Sequence, residues 1–186
     1  MFIATPTGER PIEELRPGDR VITRDKGVQE IRWAGRKRFS HQELASSEHL
    51  GPILLSKGSL GSGLPERDMM VSPNHRILVS SDRTILKLEA HEALVAAKHL
   101  VNNRTIRQVE ALGGAYVHVM CERRTMLMAN GCWTEWFQPA DIDLNGLGNA
   151  QRNELQEIFP ELATKPSPRP GTFPSTTPRS GNHFLN

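Results

Sequence analysis

The sequence has few of the features that mark specialised classes of protein. Only 2 of its 186 residues are cysteines, and 5% are aromatic. Cys121 and Cys132 are too few for a disulfide scaffold or a four-thiolate zinc site, and whether they pair once stays open. A zinc protease needs a second histidine at the i+4 position after His91-Glu92, where this chain has Val95. The sequence therefore predicts no metal site and no cofactor.

The sequence also lacks a large excess of basic or acidic residues, and it lacks long apolar runs. The 23 basic and 21 acidic residues leave a net charge of +2, which argues against a nucleic-acid partner. No apolar run approaches the ~20 residues of a membrane span, so we expect no membrane partner. The opening MFIATPTGER reaches a proline and charges too early for a signal peptide. We expect a monomer, cytoplasmic by default, with secretion left open.

Short apolar runs separated by turn residues fill the chain from residue 1 to 140. Arg20–Thr23 and Gln29–Trp33 flank a glycine-bearing turn, which predicts a hairpin, and Asn130-Gly131 predicts another tight turn. Closely spaced strands without intervening helices indicate a compact all-β domain. Only Leu88–Leu100 has helix-like content within this body.

The C-terminal part has a different composition. Within an extension over 141–164, the segment Asn149–Leu162 has Leu155, Ile158 and Phe159 at helical spacing, and we expect this short helix to dock on the β domain. Residues 165–186 are rich in proline, serine and threonine and lack a hydrophobic period. We expect them to form a flexible tail, because such a segment buries too little apolar area to offset its chain entropy.

The segment MVSPNHRILV contains the first candidate site residues. Ser72 precedes His75 by three positions, and Pro73 restricts the turn between them. His75 is therefore expected to enter the following strand in a defined direction. An isolated serine and histidine at this spacing are a weak signal by themselves.

Taken together, three blocks of sequence resemble the Hint domain shared by Hedgehog autoprocessing domains and inteins, and most closely the bacterial Hedgehog/intein-type proteins. Residues Ile3–Val21 are similar to the family's first block, and VSPNHRILV resembles the second block, which carries the active-site histidine. YVHVMCERRTMLMANGCWTEWF resembles the two closing strands. The resemblance implies an all-β, horseshoe-like fold with pseudo-two-fold symmetry over about residues 3 to 140.

The resemblance also implies a reaction. A cysteine or serine at the start of a Hint domain attacks the preceding peptide carbonyl, and the second-block histidine protonates the leaving nitrogen. His75 and Ser72 match the second block, while His118 and Arg124 stand where relatives often carry an aspartate and a histidine. The polypeptide preceding the domain would be the substrate in cis.

The sequence departs from the family at the nucleophile. The resemblance places that residue a few positions before Met1, so the printed chain is expected to be inactive and its domain to lack the family's first residues. Thr134-Glu135 stands where splicing inteins have a histidine and an asparagine, which argues against ligation. The alternatives are a degenerate Hint scaffold that binds without catalysis and an unrelated β domain.

Overall fold

The chain folds mainly into β-strands, as a computed structural model of residues 1–80, 92–136 and 149–162 describes it. Two α-helices are described, α1 (His41–Ser46) and α2 (Asn149–Ile158). The strands in chain order are β1 (Phe2–Thr5), β2 (Gly8–Pro11), β3 (Arg20–Thr23), β4 (Gly27–Glu30), β5 (Trp33–Ser40), β6 (Ile53–Leu55), β7 (Met69–Val71), β8 (Arg76–Ser80), β9 (Glu92–Ala96), β10 (Ile106–Gln108), β11 (Gly113–Met120), β12 (Thr125–Ala129) and β13 (Cys132–Trp136). The predicted all-β class and the short C-terminal helix are confirmed.

The strands form three antiparallel sheets. The largest has the order β2-β1-β12-β13-β8-β9, and the β3–β4 hairpin joins it through β12. Ile3 of β1 lies opposite Ala129 of β12, and Thr134 of β13 lies opposite Ile77 of β8. The N-terminal strand, the strand that follows His75 and the closing hairpin therefore belong to one sheet. The other two sheets are β10-β6-β7 and β11-β5.

The turn between β12 and β13 is formed by Asn130 and Gly131. Both have positive φ angles, 47° and 81°. A two-residue hairpin turn with positive φ at both positions favours Asn-Gly, because these residues tolerate the left-handed region best. The predicted tight turn is confirmed.

Three hydrophobic clusters form the core. The first lies between β1, β3, β12 and β11, and the third lies around β6, β7 and β8. The second joins the β domain to α2, and its buried members are Trp33, Leu44, Leu50, Met120, Leu155, Ile158 and Phe159. Helix α2 is thus docked on the β domain, as its apolar stripe predicted.

The helix-like content assigned to Leu88–Leu100 is wrong where the structure describes that segment. Glu92–Ala96 is strand β9, and Ala97–Leu100 forms a short 3₁₀ turn. The alanine-rich composition favours helix, but pairing with β8, with Leu78 opposite Leu94, overrides that weak preference. The other part of this segment, including His91, lies outside the described residues, as do the predicted strand Ile85–Leu88, residues 137–148 and the tail 165–186. The domain boundaries therefore stay a prediction.

Candidate active site

A cavity of ≈ 440 Å³ opens between the large sheet, β11 and α2. Segments far apart in the sequence line it: the N-terminus, the turn before β8, the middle of β11, the end of β13 and one face of α2. Its lining includes Met1, Ser72, His75, His118, Trp136 and Glu154. Ser72, His75 and His118, predicted separately from the sequence, thus lie around one cavity.

The backbone of the Ser72–His75 turn is fixed by hydrogen bonds. The amide of His75 donates to the carbonyl of Ser72 at 3.1 Å, which closes the turn. From the 3₁₀ turn after β9, the amides of Ala97 and Lys98 donate to the carbonyls of His75 (2.9 Å) and Pro73 (3.0 Å). Because proline fixes its own φ as well, the direction in which His75 leaves the turn is determined on both sides.

The imidazole of His75 is buried and uncharged. Burial, and to a smaller extent the nearby His118, lower its pKa to about 3. Its Nε2 atom is buried without a hydrogen-bond partner among residues 1–80, 92–136 and 149–162. Buried polar atoms normally have a partner, so an exception at a cavity marks a position where a substrate group can bind.

Trp136 packs against both imidazoles. The ring centroids of His75 and His118 are each 5.2 Å from the Trp136 ring, the first nearly edge-to-face at 76° and the second tilted at 35°. His118 also lies 6.4 Å from the rings of Trp33 and Phe159. The indole therefore contacts both histidines and adds apolar surface to the cavity lining.

The N-terminal strand is held at the cavity by Asn130. The Phe2 amide donates to Asn130 Oδ1 at 2.8 Å, and the Asn130 amide donates to the Phe2 carbonyl at 2.9 Å. Asn130 Nδ2 donates to the Arg67 carbonyl at 3.3 Å. The Ile12 amide donates to the Met1 carbonyl at 3.0 Å, and this bond fixes the backbone of Met1, which lines the cavity. The position of the first residue is thus set by a side chain in the closing hairpin.

The sequence analysis missed Glu154 of α2. One carboxylate oxygen of Glu154, Oε2, accepts hydrogen bonds from the Asn74 amide (3.0 Å) and from Asn74 Nδ2 (2.8 Å). The Ser72 side chain also acts to lower the pKa of this carboxyl. Burial raises the pKa of Glu154, while these donors and the charge of Lys98 partly oppose that rise. No sequence motif indicates this contact, which spans 80 positions.

Arg124 does not line the cavity. Its guanidinium binds the buried carboxylate of Glu135, which Arg76 also contacts at 3.1 Å. Successive side chains of a strand point to opposite faces, so Glu135 points away from the cavity that its neighbour Trp136 lines. The structure therefore brings together three of the four predicted site residues, and their catalytic roles stay predictions.

The two cysteines do not pair and belong to separate clusters. Burial raises the pKa of each thiol to about 11, which keeps Cys121 and Cys132 protonated near neutral pH. Neither lines the cavity. Both thiols are therefore packing residues without the thiolate character that a nucleophile needs.

Within the described residues, no three histidine, cysteine or acidic side chains are close enough together to hold a metal ion. A search of the same residues for membrane-crossing helices finds none of sufficient length and apolar character.

Comparisons with known proteins extend these observations. Three solved structures are similar over most of their length. The gp41-1 intein has 11% identity and a TM-score of 0.42, covering 72% of this chain and 91% of that one. The MchDnaB-1 intein has 14% identity and a TM-score of 0.39, with 72% and 94% covered. The Msm DnaB1 intein splicing domain, a structure bound with zinc, gives the same four values.

The comparison with curated proteins finds no match. The comparison with protein families does: the model described as "Hint domain" matches residues 1–141, which contain every strand described above. The unrelated β domain considered as an alternative is therefore wrong. The chain belongs to the Hint domain family of autoprocessing and splicing-type domains, whose fold implies processing of the flanking polypeptide in cis.

Proposed function

We propose that this Hint domain cleaves the peptide bond that precedes its N-terminal strand, by an acyl shift onto a cysteine or serine at the family's first position. One observation carries the proposal: Met1, His75 and His118 line a single cavity. The Asn130 contacts hold the start of the N-terminal strand at that cavity, so the polypeptide that precedes Met1 leaves from the cavity that both histidines line.

The buried, neutral imidazole of His75 defines how the proton moves. The thiol or hydroxyl of the nucleophile gives its proton to the imidazole, and the sulfur or oxygen bonds to the preceding carbonyl carbon. The carbon–nitrogen bond then breaks, and the imidazolium returns the proton to the leaving nitrogen. The products are a thioester or ester and a free amine, so atoms and charge balance. Water or an added thiol then resolves the ester.

The burial of His75 affects the two halves of this proton transfer differently. An imidazole whose pKa is lowered to about 3 takes up a proton weakly and, once protonated, releases it readily to an amine nitrogen. Trp136 and Phe159 add apolar surface to the lining of the same cavity. Orientation supplies the other part of the rate, because a bond held close to the nucleophile reacts as if at very high concentration.

A second candidate is a degenerate Hint scaffold that binds a polypeptide without cleaving it. One observation favours it. Among the described residues, the cavity lining offers no thiol, and its one serine, Ser72, lies within the domain and not before the N-terminal strand. The thioether of Met1 has no proton to lose and forms no stable acyl product.

The experiment places the family's first residues before Met1. Cys-Phe-Thr-Pro-Gly is inserted before Met1, behind a carrier protein, and mass spectrometry follows carrier release with and without an added thiol. We expect thiol-dependent cleavage of the extended chain and none of the 186-residue chain. His75→Ala should lower the rate by roughly 10²–10⁴-fold, the usual contribution of a positioned acid or base. His99→Ala is the matched control, because His99 is exposed and lies outside the cavity.

Two results would contradict the proposal. If the folded, extended chain releases no carrier, the degenerate scaffold is the better description. If the 186-residue chain cleaves itself, the nucleophile lies somewhere other than the family's first position.

A further inference from the structure

We propose that Glu154 of helix α2 is a positioning residue that holds the Ser72–His75 turn in the geometry needed for cleavage, an inference that rests on the proposed function. Helix α2 begins at Asn149, and the Hint family model ends at residue 141. The active-site turn of this Hint domain would then depend on an element outside the matched region.

The contacts of Glu154 are directed at the turn itself. Its carboxylate accepts from the backbone amide and the side-chain amide of Asn74, the residue just before His75. Two donors of the Ser72–His75 turn, both from Asn74, are therefore tied to one carboxylate. Bonds to a charged acceptor are about twice as strong as neutral ones, and losing such a buried acceptor leaves its donors unsatisfied.

Helix α2 is itself fixed firmly enough to transmit this constraint. Leu155, Ile158 and Phe159 are 6%, 4% and 3% exposed, and Phe159 packs edge-to-face on Trp33 at 5.4 Å. Trp33 begins β5, which pairs with β11, the strand that carries His118. The helix therefore rests on the same framework that positions the second histidine of the cavity.

The turn is thus held from two sides. The 3₁₀ segment after β9 donates amides to the turn's carbonyls, and Glu154 accepts from the turn's donors. Removing one side leaves the fold of the sheet in place but frees the peptide that sets the direction of His75. Misplacing a catalytic group by about 1 Å can cost about 10²-fold in rate.

The test compares two substitutions of similar size in the extended, cysteine-bearing chain. In Glu154→Gln, the amide oxygen can accept from both Asn74 donors, so these two hydrogen bonds can be remade. In Glu154→Met, neither can. Glu157→Met is the matched control, because Glu157 lies on the same helix and its carboxylate contacts the exposed ring of His49 at 2.8 Å. Carrier release, amide hydrogen exchange at Asn74 and the NMR signals of the His75 ring are measured for each.

We expect Glu154→Met to slow release by roughly 10²-fold, to speed exchange at Asn74 and to shift the His75 ring signals. Glu154→Gln and Glu157→Met should resemble the unsubstituted chain in all three. Glu154→Met with unchanged exchange and ring signals would overturn the inference, as would a Gln variant as slow as the Met variant. If the extended chain releases no carrier, the proposed function has failed, and the Asn74 exchange and His75 signals still decide whether Glu154 holds the turn.

Discussion

The burial of His75 predicts a specific loss of stability in mild acid. In the unfolded chain the imidazole titrates near its ordinary pKa of 6.5, whereas in the folded chain the pKa is about 3. Between these two values the unfolded state binds a proton that the folded state does not. Stability therefore falls as the pH is lowered from 6.5 towards 3, and is regained as the pH rises.

The size of the effect follows from the width of that window. Each pH unit inside it changes the free energy of unfolding by at most about 1.4 kcal/mol for one group. At pH 5 the contribution of His75 alone is about 2 kcal/mol relative to pH 7.5. A loss of that size is a large fraction of the stability of an ordinary domain.

Urea unfolding at several pH values between 7.5 and 5 measures this contribution. His75→Gln removes the titrating group, so the free energy of unfolding of this variant should fall about 2 kcal/mol less than that of the unsubstituted chain over the same range. His99→Gln should fall as steeply as the unsubstituted chain, because that ring is exposed. Parallel losses in the unsubstituted chain and His75→Gln would refute the reasoning and mean that the folded state takes up a proton at His75.

Two further substitutions test the framework around the cavity. Asn130→Ala should lower the free energy of unfolding by about 2 kcal/mol or more, because it removes the acceptor of the Phe2 amide and places alanine at φ 47°. Asn130→Gly keeps the backbone freedom, so its free energy of unfolding, measured by urea titration, should fall less. Phe159→Ala should lower the free energy of unfolding by about 3–5 kcal/mol, because removing a ring that is 3% exposed and packed on Trp33 leaves a cavity. A loss below about 1 kcal/mol in thermal or urea unfolding would mean that α2 is not docked in solution.

The parts of the fold that the sequence predicted have strong local signals. The Asn130-Gly131 turn needs two residues with positive φ, and few other pairs meet that requirement. The β3–β4 hairpin follows from two β-prone runs around Gly27. Helix α1 also had a local signal, the capping box of Ser40 and Glu43, although the sequence analysis did not use it.

Other features depend on contacts that no local pattern encodes. Strand β9 contains Glu92-Ala93-Leu94-Val95-Ala96, a composition that suits a helix equally well, and its state is decided by pairing with β8. Glu154 is one of several glutamates near the C-terminus, and only the folded chain shows that it reaches Asn74. The resemblance to Hint domains found His75 and His118, but it could not find a residue outside the region that the family shares.

The two polar contacts beside the cavity serve a common physical purpose. Asn130 fixes the backbone of Phe2, and Glu154 fixes the backbone of Asn74, each through a buried side chain with directional hydrogen bonds. Apolar packing tolerates small shifts, whereas a buried hydrogen bond weakens steeply when its angle or length changes. The proposed cleavage within one chain has no binding step to select the correct geometry, so the fold must supply that geometry in advance. Directional bonds that fix the N-terminal strand and the histidine turn, two segments that line one cavity, meet this requirement.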